Sequence, residues 1–361
     1  RLDPLEKKGI RSAGSTYPWR ITPYYAGLMD PDDPDCPIRR QAVPSPDELD
    51  DPLGTRDPIG EEPRSPAPNL IRLYRDRVAW CVTAACPVNC RFCFRKRLAA
   101  SPDAGEYSAA ARREALAYIA RTPEIRDVLV TGGDPLMLSD DTIADILGSL
   151  RAIDHVEIVR IGTRAPVTLP QRITPGLCAT LARHHPLWIN THFNHPKELA
   201  PEAVAACARL AAAGIPLGNQ SVLLKGINDD VPTMLALVQG LVRARVRPYY
   251  LFQCHLAPGT AHFRTPVEKG LAIVSALRGS TTGFAVPTYV VDTPNGKVAI
   301  APHGAGDISE YATLKTAMLT DHADELLNAA ITAGAGAAVP AHRAPAGRAA
   351  VGCRLPAGCG L

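Results

Sequence analysis

Net charge is nearly absent from this sequence: 39 lysines and arginines stand against 36 aspartates and glutamates, +3 over 361 residues. That balance provides no footprint for nucleic acid or an acidic membrane surface, and neither is expected as a partner. Long apolar runs are missing too, none approaching the roughly 18 residues a membrane span needs. No charged-then-apolar leader opens the chain, so a cytoplasmic location is expected. Ten cysteines are present, but chains of this length seldom depend on disulfides, and their clustering suits a reducing compartment. Hydrophobic residues make up 46%, ample for a core.

A fourth cysteine is also missing where one might complete a site. Cys86, Cys90 and Cys93 lie in the run Ala85-Cys86-Pro87-Val88-Asn89-Cys90-Arg91-Phe92-Cys93-Phe94-Arg95, with no further cysteine at a matching step. Thiolates are the usual protein ligands of iron–sulfur clusters. A cubane has four irons, so three thiolates leave one iron free for another ligand. The alternatives are a zinc knuckle with a distant fourth ligand, or buried thiols alone.

Residues 1–75 are rich in proline and acid, as in Pro31-Asp32-Asp33-Pro34-Asp35, and predict a loosely helical extension that wraps a larger domain and supplies one wall of its site. Asp57-Pro58-Ile59-Gly60 reads as a turn, and little else there suggests chemistry. From Arg77 the pattern turns regular. Strands are predicted over Val78–Thr83, Asp127–Thr131, Val156–Ile161, Leu187–Thr191, Pro216–Val222 and Arg247–Phe252. Helices alternate with them: Ser108–Arg121 with Ser108 as N-cap, then Asp141–Ala152, Pro175–His184, Pro201–Ala213 and Asp230–Ala244. Six such units predict a parallel sheet, with polar residues repeatedly placed just past the strand ends, the active face of a barrel. The expected fold is an incomplete (β/α)6 barrel of TIM-like type over 76–260, with a doubly wound open sheet as the competitor. A segment 261–333 follows, containing a helix near Pro266–Gly279, a strand Val286–Asp292 and the turn Thr293-Pro294-Asn295-Gly296-Lys297. Residues 334–361 are alanine, glycine and proline with little else, the composition of a tail without a core.

The cysteine loop, placed after the first barrel strand, resembles that of the radical S-adenosylmethionine (SAM) superfamily. Further motifs narrow the likeness to the lysine 2,3-aminomutase family. They are Cys93-Phe94-Arg95-Lys96-Arg97, Thr131-Gly132-Gly133-Asp134-Pro135-Leu136, Arg160-Ile161-Gly162-Thr163-Arg164-Ala165-Pro166 and Leu169-Pro170-Gln171-Arg172. Thr191-His192-Phe193-Asn194-His195-Pro196, Gly218-Asn219-Gln220-Ser221-Val222-Leu223-Leu224 and His262-Phe263-Arg264-Thr265-Pro266 belong with them. The resemblance runs from about residue 55 to 315. It implies an isomerase that moves the α-amino group of a basic L-amino acid, arginine or lysine, to the β-carbon. It implies three cofactors: a [4Fe–4S] cluster, SAM on the open iron, and pyridoxal 5′-phosphate (PLP). An external one-electron reductant, a small amino-acid substrate and a homo-oligomeric assembly are expected with it. Two alternatives stand beside this: a relative that rearranges lysine for attachment to a translation factor, and a non-catalytic iron–sulfur protein.

Residue by residue, the resemblance assigns Cys86, Cys90 and Cys93 to the cluster and Gly132, Gly133 and Asp134 to the SAM amino group. Lys297 stands where the family's glycine-rich turn presents its PLP lysine, although the turn here is shorter. Arg77 matches an arginine for the PLP phosphate; a second falls at Leu73, beside Arg72. Gln220 is placed near the PLP ring, and Arg95 at the substrate carboxylate, which a guanidinium fork suits. His192, Asn194 and His195 are expected to line the pocket. Two family aspartates grip the far end of lysine; one corresponds to Asp292 and the other to His255. Retention of Asp292 favours a cationic substrate, and the loss of the second acid tips it slightly toward arginine. The family's zinc-binding cysteine trio near the C-terminus is not reproduced by Cys353 and Cys359, so no structural zinc is expected.

Overall fold

Hydrophobic residues two apart, repeated in short runs separated by amphipathic stretches, produce a sheet with crossover helices in the computed structural model, which describes residues 4–96 and 107–301. Nine strands appear: β1 (Leu70–Ile71), β2 (Arg77–Thr83), β3 (Asp127–Gly132), β4 (Ile158–Gly162), β5 (Leu187–Thr191), β6 (Leu217–Leu223), β7 (Arg247–Gln253), β8 (Thr288–Thr293) and β9 (Gly296–Ala299). They lie side by side in chain order. Strands β2 to β8 are all parallel, while β1 and β9 close the two edges antiparallel.

A doubly wound sheet reverses its strand order at a switch point. No reversal occurs here, so the competing architecture is excluded and the sheet is a curled, incomplete barrel. The parallel set has seven members rather than six. The segment expected as an appended strand, near Val286–Asp292, pairs parallel with β7 and carries the barrel one step further. The segment from residue 302 on, including the tail with Cys353 and Cys359 for which no zinc was expected, lies outside the described residues.

Alternation along the strands makes two unlike faces. Val128 and Val130, Val159 and Ile161, and Leu187 and Ile189 are buried on the face that the helices cover. The intervening side chains Leu129, Arg160 and Gln220 stay half-buried, and Trp188 is 47% exposed. A closed barrel fills its interior with such side chains; here the sheet stops short of closure and they stay partly exposed on the concave face. Helix starts follow local chemistry. Ser108, Ser139, Thr174 and Asp230 each cap the helix that follows by accepting a backbone N–H three residues on. No helix among the described residues is long and apolar enough to cross a membrane.

The lead-in is helical in short pieces: Pro4–Thr16, Pro23–Gly27 and Pro37–Ala42. Each opens on a proline where an unsatisfied N–H is no loss. This stretch supplies two buried carboxylates to the site, Glu48 and Glu61, neither of which the sequence singled out.

Candidate active site

The cysteine loop leaves the C-terminal end of β2 and is held from two sides. The lead-in grips it through the backbone: Asn89 N–H donates to the Arg20 carbonyl and Arg91 N–H to that of Gln41. The end of β3 is stitched to its start, with Gly133 N–H on Thr83 O at 2.6 Å and Asp134 N–H on Ala85 O at 2.8 Å. This explains the glycines. A Cβ on Gly132 would sit 2.4 Å from Thr83 O, and one on Gly133 would sit 2.4 Å from Ala85 O. Gly132 also has φ +125°, which side-chain-bearing residues avoid.

All three thiols are partly buried and unlinked. Burial pushes the Cys86 thiol up, and neighbouring Cys93, Asp134 and Cys90 push it further. Burial and Cys90 do the same to Cys93. Three thiolates brought together in this way repel one another unless a cation lies among them. Among the described residues no three His, Cys, Asp or Glu side chains are grouped so as to hold a metal ion. A cluster, whose ligands sit on separate irons, does not require such grouping, and the donor set fits it better than a zinc knuckle.

Asp134 is buried, and its carboxylate accepts from Leu136 N–H, Thr163 Oγ1 and Arg164 N–H at 2.7–3.0 Å. A carboxylate offers about four lone-pair sites, so these three bonds take most of its capacity. The side chain thereby braces the turn, and Ala165 N–H is taken by Thr163 Oγ1 at 3.0 Å. The Gly132–Asp134 turn lies directly against the start of the cysteine loop, through its backbone bonds to Thr83 and Ala85.

On the other side, the β8–β9 hairpin pairs Asp292 directly with Lys297 across the strands. Lys297 Nζ lies 2.9 Å from Asp292 Oδ1, and His255 Nε2 lies 3.0 Å from Oδ2. The Asp292 side chain is 8% exposed. Burial alone would raise its carboxyl, but the hydrogen bond and charge of His255, together with Lys297, outweigh this and hold it down to about 2. His255 rests against the Phe94 ring at 4.7 Å, and Lys297 Nζ lies 5.3 Å from the Phe252 ring centre. The short turn therefore delivers Lys297 into the site.

Arg77 is near the same place. Its guanidinium covers the Tyr74 ring at 3.9 Å, and Tyr74 Oη accepts the Lys297 backbone N–H at 2.9 Å. Gln220 is in register with Tyr250, next to Phe252. The arrangement of an arginine, an aromatic floor and a lysine fits a phosphate-bearing pyridine. Arg72 is engaged elsewhere, with Tyr118 Oη and the Arg75 carbonyl.

Arg95 bridges the two halves. It is gripped by Glu61, Nη2 to Oε1 at 2.5 Å and Nε to both oxygens at 3.1 Å, while Nη1 reaches Thr131 Oγ1 at 3.4 Å. Burial lowers the guanidinium pKa, and Glu61 more than restores it. Lys96, expected to be solvated or to balance cluster charge, is buried against Glu48 at 2.8 Å, and Glu48 also clamps Arg91 at 2.6 Å. Arg97 lies outside the described residues. Among the pocket candidates, Asn194 is buried in a hydrogen-bond network with Gln41 and Val222, and His195 caps the turn at Lys197. His192 is held neutral by burial and by Arg164, its pKa lowered to about 3.

A curled parallel sheet with three cysteines at the end of its first long strand defines a radical SAM enzyme, and residues 80–238 match the family model "Radical SAM superfamily". Residues 274–310 match a second model, "Lysine-2,3-aminomutase". The chain is 52% identical over 296 residues to L-lysine 2,3-aminomutase of Fusobacterium nucleatum, covering 82% of this chain and 69% of that protein. It is 50% identical over 301 residues to L-lysine 2,3-aminomutase of Bacillus subtilis, with 82% and 64% covered. Glutamate 2,3-aminomutase of Clostridioides difficile is 48% identical over 318 residues, with 87% and 75% covered. The chain thus spans about two thirds to three quarters of the length of these relatives. It belongs to the lysine 2,3-aminomutase family of radical SAM enzymes, isomerases that use a [4Fe–4S] cluster, SAM and PLP.

Proposed function

We propose that this chain moves the α-amino group of a basic L-amino acid, L-lysine or L-arginine, to the adjacent β-carbon, yielding a β-amino acid. The cluster and SAM supply a hydrogen-abstracting radical when bound, and PLP supplies the conjugated aldehyde that carries the migrating nitrogen. The protein's part is to bind, orient and exclude water. Cys86, Cys90 and Cys93 hold the cluster, and Gly132 and Gly133 let the β3 turn close on it. Lys297 binds PLP, with Arg77 at the phosphate and Gln220 near the ring. Arg95 takes the substrate carboxylate.

The observation that carries the substrate reading is Asp292: a buried, ionised carboxylate beside the proposed PLP lysine. His255 and Lys297 use two of its roughly four acceptor sites, leaving room for a cation at the substrate's far end. An ammonium needs one such site, while a guanidinium fork uses two. Names of relatives speak for lysine; His255, where the family's lysine enzymes carry a second aspartate, speaks for arginine. A γ-carboxylate placed 4 Å from Asp292 would be repelled by about 4 kcal/mol at an effective dielectric near 20, which weighs against glutamate. The test is anaerobic reconstitution with iron, sulfide, SAM, PLP and dithionite, offering lysine, arginine and glutamate separately. Product is expected from a basic amino acid; product from glutamate alone overturns the reading.

A further inference from the structure

Arg164 stands in the turn after β4, in none of the roles above, yet it reaches further across the site than any residue assigned to one. Its Nη1 donates to the Cys90 sulfur at 2.8 Å. Nε donates to the His192 carbonyl at 3.0 Å. Nη2 faces Glu198 Oε1 at 2.6 Å, Gln41 Oε1 at 2.7 Å and Tyr25 Oη at 3.2 Å. The guanidinium carbon also lies 5.2 and 5.4 Å from the ring centres of Phe92 and Tyr25. With every nitrogen engaged, its orientation is over-determined, and the N–H it presents to Cys90 is held in place.

Glu198 is as firmly fixed. Its side chain is fully buried. Its Oε2 accepts the N–H groups of Asn194 and His195 at 2.6 and 3.0 Å. Its Oε1 accepts from Tyr25 Oη at 2.7 Å as well as from Arg164. A buried cation touching a cysteine sulfur, with a buried anion directly behind it, is more than a loop fastening requires. The backbone bonds from Arg20 and Gln41 already fasten the loop.

We propose that Arg164 and Glu198 form a charge relay behind Cys90 that sets the reduction potential of the cluster. The inference rests on the three cysteines being the cluster ligands. One-electron reduction takes [4Fe–4S]2+ to [4Fe–4S]+, with the electron supplied by an external low-potential one-electron donor. The added electron raises the negative charge on the iron-bound sulfurs. An N–H donor and a positive charge at Cys90 stabilise that state and raise the potential. Glu198 withdraws part of the effect, because its charge is felt through the same guanidinium. Arg164 is thus a positioning residue for Cys90, and Glu198 tempers it.

The two side chains make opposite predictions, which a purely structural role does not. In the reconstituted holoenzyme without SAM, iron and sulfide are counted first, and the midpoint is then measured by EPR-monitored redox titration with dithionite and mediators. Wild-type protein without a cluster would refute the ligand reading itself. With four irons per chain present, Arg164→Gln is expected to move the midpoint to more negative potential, and Glu198→Gln to move it to more positive potential. Midpoints unchanged in both, or shifted in the same direction as general loosening would produce, overturn the proposal. If Arg164→Gln does not assemble four irons, Glu198→Gln decides alone. Its amide keeps an acceptor for the Asn194 and His195 N–H groups, and a midpoint at or below wild type refutes the relay.

Discussion

Replacing Glu48 by glutamine is expected to destabilise the protein by about 3–5 kcal/mol, the usual consequence of removing one partner from a buried ion pair. The structure explains why so small a change in shape should matter so much. Glu48 accepts from Arg91 Nε at 2.9 Å and Nη2 at 2.6 Å, and from Lys96 Nζ at 2.8 Å. The three side chains are 0, 1 and 7% exposed, in the order Glu48, Arg91, Lys96. A neutral amide leaves two cations in a site that water barely reaches. A glutamine oxygen can keep the bonds at one of the two oxygen positions, and its NH2 group then points at the donors of the other. The exposed pair Arg126–Glu157 supplies the control. Both members are more than half exposed, so Glu157→Gln is expected to leave stability close to that of wild type.

Unfolding entropy near 2.1 cal/mol/K per residue, over a unit the size of Arg1–Pro302, turns the Glu48 loss into a fall in Tm of roughly 5–8 °C. Matched thermal scans of the three cofactor-free proteins by circular dichroism measure it. Acid separates the electrostatic part. Burial raises the Glu48 carboxyl, but the bonds and charges of Arg91 and Lys96 exceed this, so its folded pKa lies below the ordinary 4.5. A depressed carboxyl contributes stability that is complete above its unfolded value and is lost as pH falls through the folded one. The gap between wild type and Glu48→Gln should therefore be constant above about pH 5 and narrow below about pH 4. A Glu48→Gln shift no larger than that of Glu157→Gln, or a gap that widens in acid, would refute the reasoning.

Lys297→Ala should abolish the visible absorbance of bound PLP while leaving the iron content unchanged, and an unaltered spectrum removes Lys297 from the role. Asp292→Asn deletes a charged acceptor worth about 1.5–3 kcal/mol, so KM for the basic substrate should rise about 10- to 100-fold. Because the Asp292 carboxyl is held down to about 2, wild-type KM should show no loss of this contact on acidification to pH 5; a KM that rises there sinks the assignment. Glu61→Gln frees the Arg95 fork to turn, and kcat/KM is expected to fall at least about 10-fold by loss of a charged, partly buried partner; a wild-type value would show that Thr131 and Phe94 suffice to orient Arg95.

The barrel was legible because period-2 runs and polar strand ends are local signals. The seventh parallel strand was less so, since a run such as Val290-Val291-Asp292 reads alike as an edge hairpin or a barrel strand until its neighbour is known. Asp134 shows the opposite limit. Gly-Gly-Asp marked the right place, but whether that carboxylate faces a ligand or its own chain depends on Thr163 and Arg164, about thirty residues away.

The two glutamates of the lead-in were missed for a physical reason. A glutamate among prolines has the same local signature whether it is solvated or clamped to a cation 43 residues away, as Glu48 is to Arg91. The usable signal lay on the cation side. Between Ala84 and Pro102 the sequence has Arg91, Arg95, Lys96 and Arg97 and no acidic residue. Three thiolates cannot balance four cations and also ligate a cluster whose own charge is positive. Cations on a loop that packs under a lead-in need carboxylates when water is excluded, and the nearest supply upstream is that acid-rich stretch. Glu48 and Glu61 meet that demand for Arg91, Lys96 and Arg95, and Glu198 meets it for Arg164. The acidic, proline-broken segment is thus the electrostatic counterpart of the cysteine loop: its prolines stop long helices from forming, so that short turns can place single glutamates against single cations.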